Sequence, residues 1–152
     1  IRPEDEAQHM IFLGQLDPAD IRMRVFHSRR SIERSELARL TQIDYAREMA
    51  FVAVDHDDAG RERTLGVVRA IADPDNVSAE FGIVIRSDMH GLHLGPLLMQ
   101  HIIDYQRSQR TRKLVATVLA ENTRMLELAQ RLGFVEKSSD QGDGIRSIEL
   151  LL

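Results

Sequence analysis

The chain has 152 residues with a formal net charge of −4, 43% hydrophobic and 29% charged residues, and no cysteine. That is the size and balance of one globular domain with a single core; it excludes a disordered or membrane-spanning chain and any disulfide or cysteine chemistry. The bases are scattered through both halves, so no nucleic-acid partner is expected, and the absence of cysteine agrees with a cytoplasmic location.

Pro3 followed by Glu4-Asp5-Glu6 reads as a helix start that runs to about Gly14. A second helix is expected from Asp17-Pro18, with Ile21, Val25 and Phe26 at helical spacing, followed by a basic connection over 27–34. Ser35 is placed to cap a third, over Glu36 to about Asp44, with Leu37, Leu40 and Ile43 on one face. The apolar period then shortens. Met49–Val54, Thr64–Ala72 and a run from Ala79 are separated by the turn-rich stretches DHDDAGRE and DPDN, which predicts an antiparallel three-strand meander.

After the third strand comes a loop with Gly91 and Gly95, then a helix with Pro96 near its first position and Leu97, Leu98, His101, Ile102 and Tyr105 along its apolar stripe. Lys113–Leu119 is the next strand; strand–helix–strand implies that it runs parallel to the third. Asn122 can cap a helix carrying Met125, Leu126, Ala129 and Leu132, with Gly133 as its left-handed stop. Phe134-Val135 and Ile145–Leu152 close the chain as a hairpin. The fold class is mixed α/β.

The chemistry concentrates between Glu80 and Gln106. A strand feeding a glycine-bearing loop that opens a helix presents free N–H groups and a helix N-terminus to an anion, and a carboxylate stands at the start of the same strand. This predicts a site where a phosphate-bearing acyl donor binds and an amine is acylated. By alternation Glu80 shares a face with Gly82 and Val84, so it is either a base beside an open floor or a solvated edge residue. As a base it needs a raised pKa, which burial beside apolar walls supplies. His90 and His93 have H-x-x-H spacing and His101 follows, but no neighbouring acid completes a ligand set, so no metal is assigned.

The frame His90-Gly91-Leu92-His93-Leu94-Gly95 resembles the acyl-CoA-binding motif [RQ]-x-x-G-x-[GA] of the GNAT superfamily of N-acetyltransferases. Asn122 with LAQRLGF at 128–134 resembles that family's later motif. LARLTQIDYAREMAFVAV (37–54), AEFGIVIRSD (79–88) and GIRSIELLL (144–152) extend the likeness to the catalytic domain of bacterial Pat-type protein lysine acetyltransferases. The resemblance implies a mixed, mostly antiparallel sheet, flanked by helices, whose parallel fourth and fifth strands splay apart around acetyl-CoA. It places pyrophosphate on residues 90–95 and Asn122 among the residues that hold the donor. Pantetheine lies along Ile83, Val84 and Ile85, with an N–H of Val84 or Ile85 on the thioester carbonyl. Glu80 is the implied general base, and a protein lysine, on an acyl-CoA synthetase for example, is the implied acceptor.

The alternatives are a small-molecule amine acceptor and a non-catalytic acyl-CoA-sensing domain. Pat-type domains also sit in longer polypeptides, so residues 1–152 are expected to be one domain of a larger chain. Two departures from the motif stand out. His90 replaces Arg or Gln, and His93 puts a β-carbon where a glycine lets pyrophosphate approach closely. Ala129 stands where many relatives carry an acidic tyrosine, so no general acid is assigned.

Overall fold

The computed structural model of the protein describes residues 1–15, 47–86, 93–137 and 144–152. The helices expected from Asp17 and over 36–44 lie outside the described residues. Of the first, a short 3-10 turn at Pro3–Asp5 leads into α1 (Glu6–Gly14). The strands are β1 (Glu48–His56), β2 (Glu62–Ala72), β3 (Ser78–Ile85), β4 (Lys113–Leu119), β5 (Val135–Lys137) and β6 (Ile145–Leu151). Helix α2 (Leu94–Ser108) joins β3 to β4, and α3 (Thr123–Leu132) follows β4. The sheet order is β1-β2-β3-β4-β6-β5, with β3 and β4 parallel and the other neighbours antiparallel. The expected meander, the parallel pair and the closing hairpin are all present.

Alternation divides the sheet into two faces. On one, Val68 and Ala70 of β2, Ala79 and Phe81 of β3, and Leu114, Ala116 and Val118 of β4 bury against α2 and α3. Phe81 and Phe134 meet there with ring centroids 5.4 Å apart. On the other face, Ala50, Val67 and Val84 pack beneath Phe12 of α1. The β2–β3 register runs from Gly66↔Ile85 to Ala72↔Ala79 without a shift, so the face parity read from the sequence holds along all of β3.

The stripe of α2 differs from expectation. Gly95, Leu98, Met99, Ile102, Ile103 and Gln106 are buried, a repeat of three and four residues, while Leu97 is 54% exposed. The sheet selects the residues that follow Gly95 by one turn. His101 and Tyr105 sit on the flank of the helix, with rings 5.6 Å and 6.0 Å from that of Phe51 on β1. Pro96 is the third helical residue, where a missing N–H still costs no intrahelical bond. Asn122 accepts from the Met125 N–H at 3.2 Å, and Gly133 ends α3 at φ 95°, as the capping signals predict.

Candidate active site

The parallel ladder between β3 and β4 has only three rungs: Ser78↔Lys113, Ala79↔Leu114 and Glu80↔Val115. Beyond them β4 stays paired to β6 as far as Leu119↔Ile145, and β3 stays paired to β2 as far as Ile85↔Gly66. The two strands therefore part immediately after Glu80. This is the splayed parallel pair that the resemblance implies as fourth and fifth strands; among the described strands the two are third and fourth.

Backbone phase decides which groups look into the opening. In an antiparallel ladder, residues alternately turn both N–H and C=O toward the partner and both away. The Asp73 N–H donates to Ser78 O at 2.8 Å and the Arg86 N–H to Leu65 O at 2.7 Å, so the even-numbered residues of β3 are turned to β2. Phe81, Ile83 and Ile85 are turned to the opening. The amide of Val84, one of the two expected near a thioester carbonyl, is thus on the β2 side, while those of Ile83 and Ile85 are on the other. On β4, the Leu152 N–H donates to Arg112 O at 2.8 Å and the Ala120 N–H to Gly144 O at 2.9 Å, so Val115, Thr117 and Leu119 are turned to the same opening.

The N-terminus of α2 stands at the wide end. His93 is its N-cap, exposed and left-handed at φ 62°, a conformation that histidine tolerates better than most residues. Leu94 and Gly95 follow as the first helical residues, with N–H groups that precede the first intrahelical bond, Leu97 N–H to His93 O at 3.4 Å. The first turn carries no acidic side chain, so the positive end of the helix dipole is unopposed within it. Gly95 is buried because the elements converge on it. A β-carbon there would stand 3.1 Å from Leu128 Cδ2 of α3 and 3.5 Å from Ile85 Cδ1 of β3. Its missing side chain lets the helix end press onto the strand end. His90, Gly91 and Leu92 lie outside the described residues.

Glu80 occupies the narrow end. It is exposed on the α1 face of the sheet, between Ile71 of β2 and Val115 of β4. The apolar enclosure expected around its carboxylate is not built by the described residues, because Ile71 beside it is itself 42% exposed. Asn122 lies just beyond β4 with its side-chain oxygen used in capping α3, and Ala129 is buried in the core. His101 follows His93 by two helical turns, about 12 Å along the axis, so the two imidazoles cannot share one ion.

Two residues near the opening were missed from the sequence. Arg69 lies directly across from Gly82 and is buried, and the signal for it was a lone cation inside the apolar run VVRAIA. Thr117 is half-buried on the face that Glu80 uses, which alternation from Val115 would have given. Further along the α1 face, His9 is 2% exposed; burial, and next the charge of Arg69, push its pKa from 6.5 down to about 4.

A parallel pair that parts after three rungs thus leaves a cleft between β3 and β4, with a helix N-terminus at its wide end and a carboxylate at its narrow one. Comparison with known proteins gives the family. The model of the acetyltransferase (GNAT) family matches residues 18–134, and the chain belongs to that family. It is an acetyl-CoA-dependent acetyltransferase.

The chain is 34% identical over 135 residues to Acetyltransferase PA5475 of Pseudomonas aeruginosa, covering 89% of this chain and 72% of the relative. Its fold matches that of the GNAT domain of S. lividans PAT, with a TM-score of 0.88 at 20% identity, covering 100% of this chain and 88% of the other. It also matches spermidine N-acetyltransferase from Vibrio cholerae in complex with CoA and spermine, with a TM-score of 0.74 at 21% identity, covering 99% and 92%. Among the described residues, no helix is long and apolar enough to cross a membrane.

Proposed function

We propose that the protein transfers the acetyl group of acetyl-CoA to the ε-amine of a protein lysine, with Glu80 as general base. The observation that carries this reading is the position of Glu80 on the last rung of the β3–β4 ladder, the point from which the cleft opens. Pantetheine entering between the strands takes the place of the missing rungs, with the backbone polar groups of Ile83 on one wall and of Thr117 on the other. Pyrophosphate meets the N-terminal amides of α2 at Leu94 and Gly95.

The thioester carbon then lies near the narrow end. The amine nitrogen attacks it, the C–N bond forms and the C–S bond breaks. One amine proton passes to Glu80, directly or through a water, and CoA leaves as the thiolate. The N–H of Ile83 stabilises the oxyanion. No side-chain acid is invoked, because a thiolate is a good leaving group.

The likeness of the sequence to the Pat-type catalytic domain carries the protein acceptor and suggests an acyl-CoA synthetase as its source, and the fold matches that of the GNAT domain of S. lividans PAT. A polyamine acceptor is the second reading, favoured by the match to the spermidine enzyme. Incubation with acetyl-CoA and either candidate acyl-CoA synthetases or a polyamine panel, followed by mass spectrometry, separates them. Acetyl-lysine on the protein is the expected result; acetylated polyamine with unmodified protein would replace the first reading by the second.

A further inference from the structure

The register that opens the cleft also fixes what stands one step beyond Glu80 and its rung partner Val115. On the α1 face, the row one step further into the opening reads Ala50, Arg69 and Gly82 on one side and Thr117 and Ser147 on the other. Thr117 follows Val115, the rung partner of Glu80, by two residues, so its side chain emerges on the face of Glu80. Gly82 faces it across the parting without a side chain. The mouth of the cleft on this face therefore has a carboxylate at its apex, a bare floor on β3, and one hydroxyl as the first side chain on the β4 wall.

Strands in register lie about 4.8 Å apart, and two residues advance about 6.6 Å, so the Cα atoms of Glu80 and Thr117 stand roughly 8 Å apart before the parting adds to that. At such a Cα separation, with both side chains on one face, an amine nitrogen that hydrogen-bonds to the carboxylate and to the hydroxyl can bridge the two.

We propose that Thr117 is the second acceptor-binding residue of the reaction. Its hydroxyl oxygen accepts one N–H of the incoming amine while Glu80 takes the other proton, so that the nitrogen lone pair points at the thioester carbon in the cleft. A neutral amine nucleophile carries two N–H bonds, and a base alone fixes only one of them. Thr117 thus supplies the orientation, and Gly82 keeps the path free of a β-carbon. The inference deepens the reading of Glu80 as base and rests on it.

The test uses Thr117→Val and Thr117→Ser, assayed by CoA release with Nα-acetyl-lysine amide and spermidine as amine probes. Valine keeps the β-branch and the strand propensity while the hydroxyl is lost. The expected result is a roughly tenfold fall in kcat/KM for the amine in Thr117→Val, recovered in Thr117→Ser, with the rise in Tm on adding acetyl-CoA unchanged. A packing role alone would move Tm and would not give recovery by serine. Wild-type turnover in Thr117→Val, alongside an inactive Glu80→Gln, would overturn this inference and leave the base intact. Failure of the wild type to acetylate either probe or any lysine peptide, with acetyl-CoA still raising Tm, would overturn both.

Discussion

Replacing Glu80 by Gln keeps the side chain's size and removes its capacity to take a proton. The side chain is exposed and its backbone is turned to β2, so the change should leave stability within about 0.5 kcal/mol of wild type. Nor does it touch the wide end of the cleft, where α2 meets Ile85, so donor binding should survive. Acetyl-CoA at a hundred times its Kd stabilises the folded state by about 2.7 kcal/mol. For a domain of 152 residues, each kcal/mol shifts Tm by about 2–4 °C, so the ligand should raise Tm by roughly 5–11 °C in both proteins.

The chemical step behaves differently. A positioned general base contributes about 10²–10⁴ in rate, equivalent to about 2.7–5.4 kcal/mol of barrier. Thiol release can be followed with a chromogenic disulfide without background, because the chain has no cysteine. Loss of turnover with the ligand-induced Tm rise retained is the expected pair of results. Turnover within threefold of wild type would remove Glu80 from the mechanism. A lost Tm rise would show instead that the residue shapes the donor site.

Asn122→Ala removes the 3.2 Å bond to the Met125 N–H, so thermal melts should show a loss of about 1 kcal/mol, a fall of roughly 2–4 °C. His9 gives a pH dependence with a definite sign. Its folded-state pKa is lowered from 6.5 to about 4, so between these values the unfolded chain holds the extra proton. Stability is full above that window and is lost as pH falls through it, by about 3 kcal/mol in all. Urea unfolding at pH 7.5 and pH 5 should show the loss, and His9→Leu should flatten it; an equal slope in both proteins would contradict the assignment.

The elements were legible because their signals are local. Asn122 and Gly133 bracket α3 wherever it packs, the turn stretches at 55–62 and 73–76 separate β1, β2 and β3, and strict alternation placed Glu80, Gly82 and Val84 on one face. The stripe of α2 was misread at Leu97 because an apolar residue at a helix start fits two neighbouring faces, and only the close approach of Gly95 to Ile85 and Leu128 selects one. His93 in a left-handed N-cap likewise depends on a backbone path that residue type alone does not impose.

By itself, then, the sequence determined the order of strands and helices, the face of each strand and the resemblance that named the acyl donor, since each depends on neighbours along the chain. The depth of the cleft could not be read there. Whether β3 and β4 stay together for three rungs or eight depends on the paths that their outer partners, β2 and β6, hold them to beyond Glu80, and those are contacts among distant segments. The outcome ends the ladder at Glu80, with the amide of Val84 on the β2 side, that of Ile83 on the side of the opening, and Thr117 one step beyond the rung partner of Glu80.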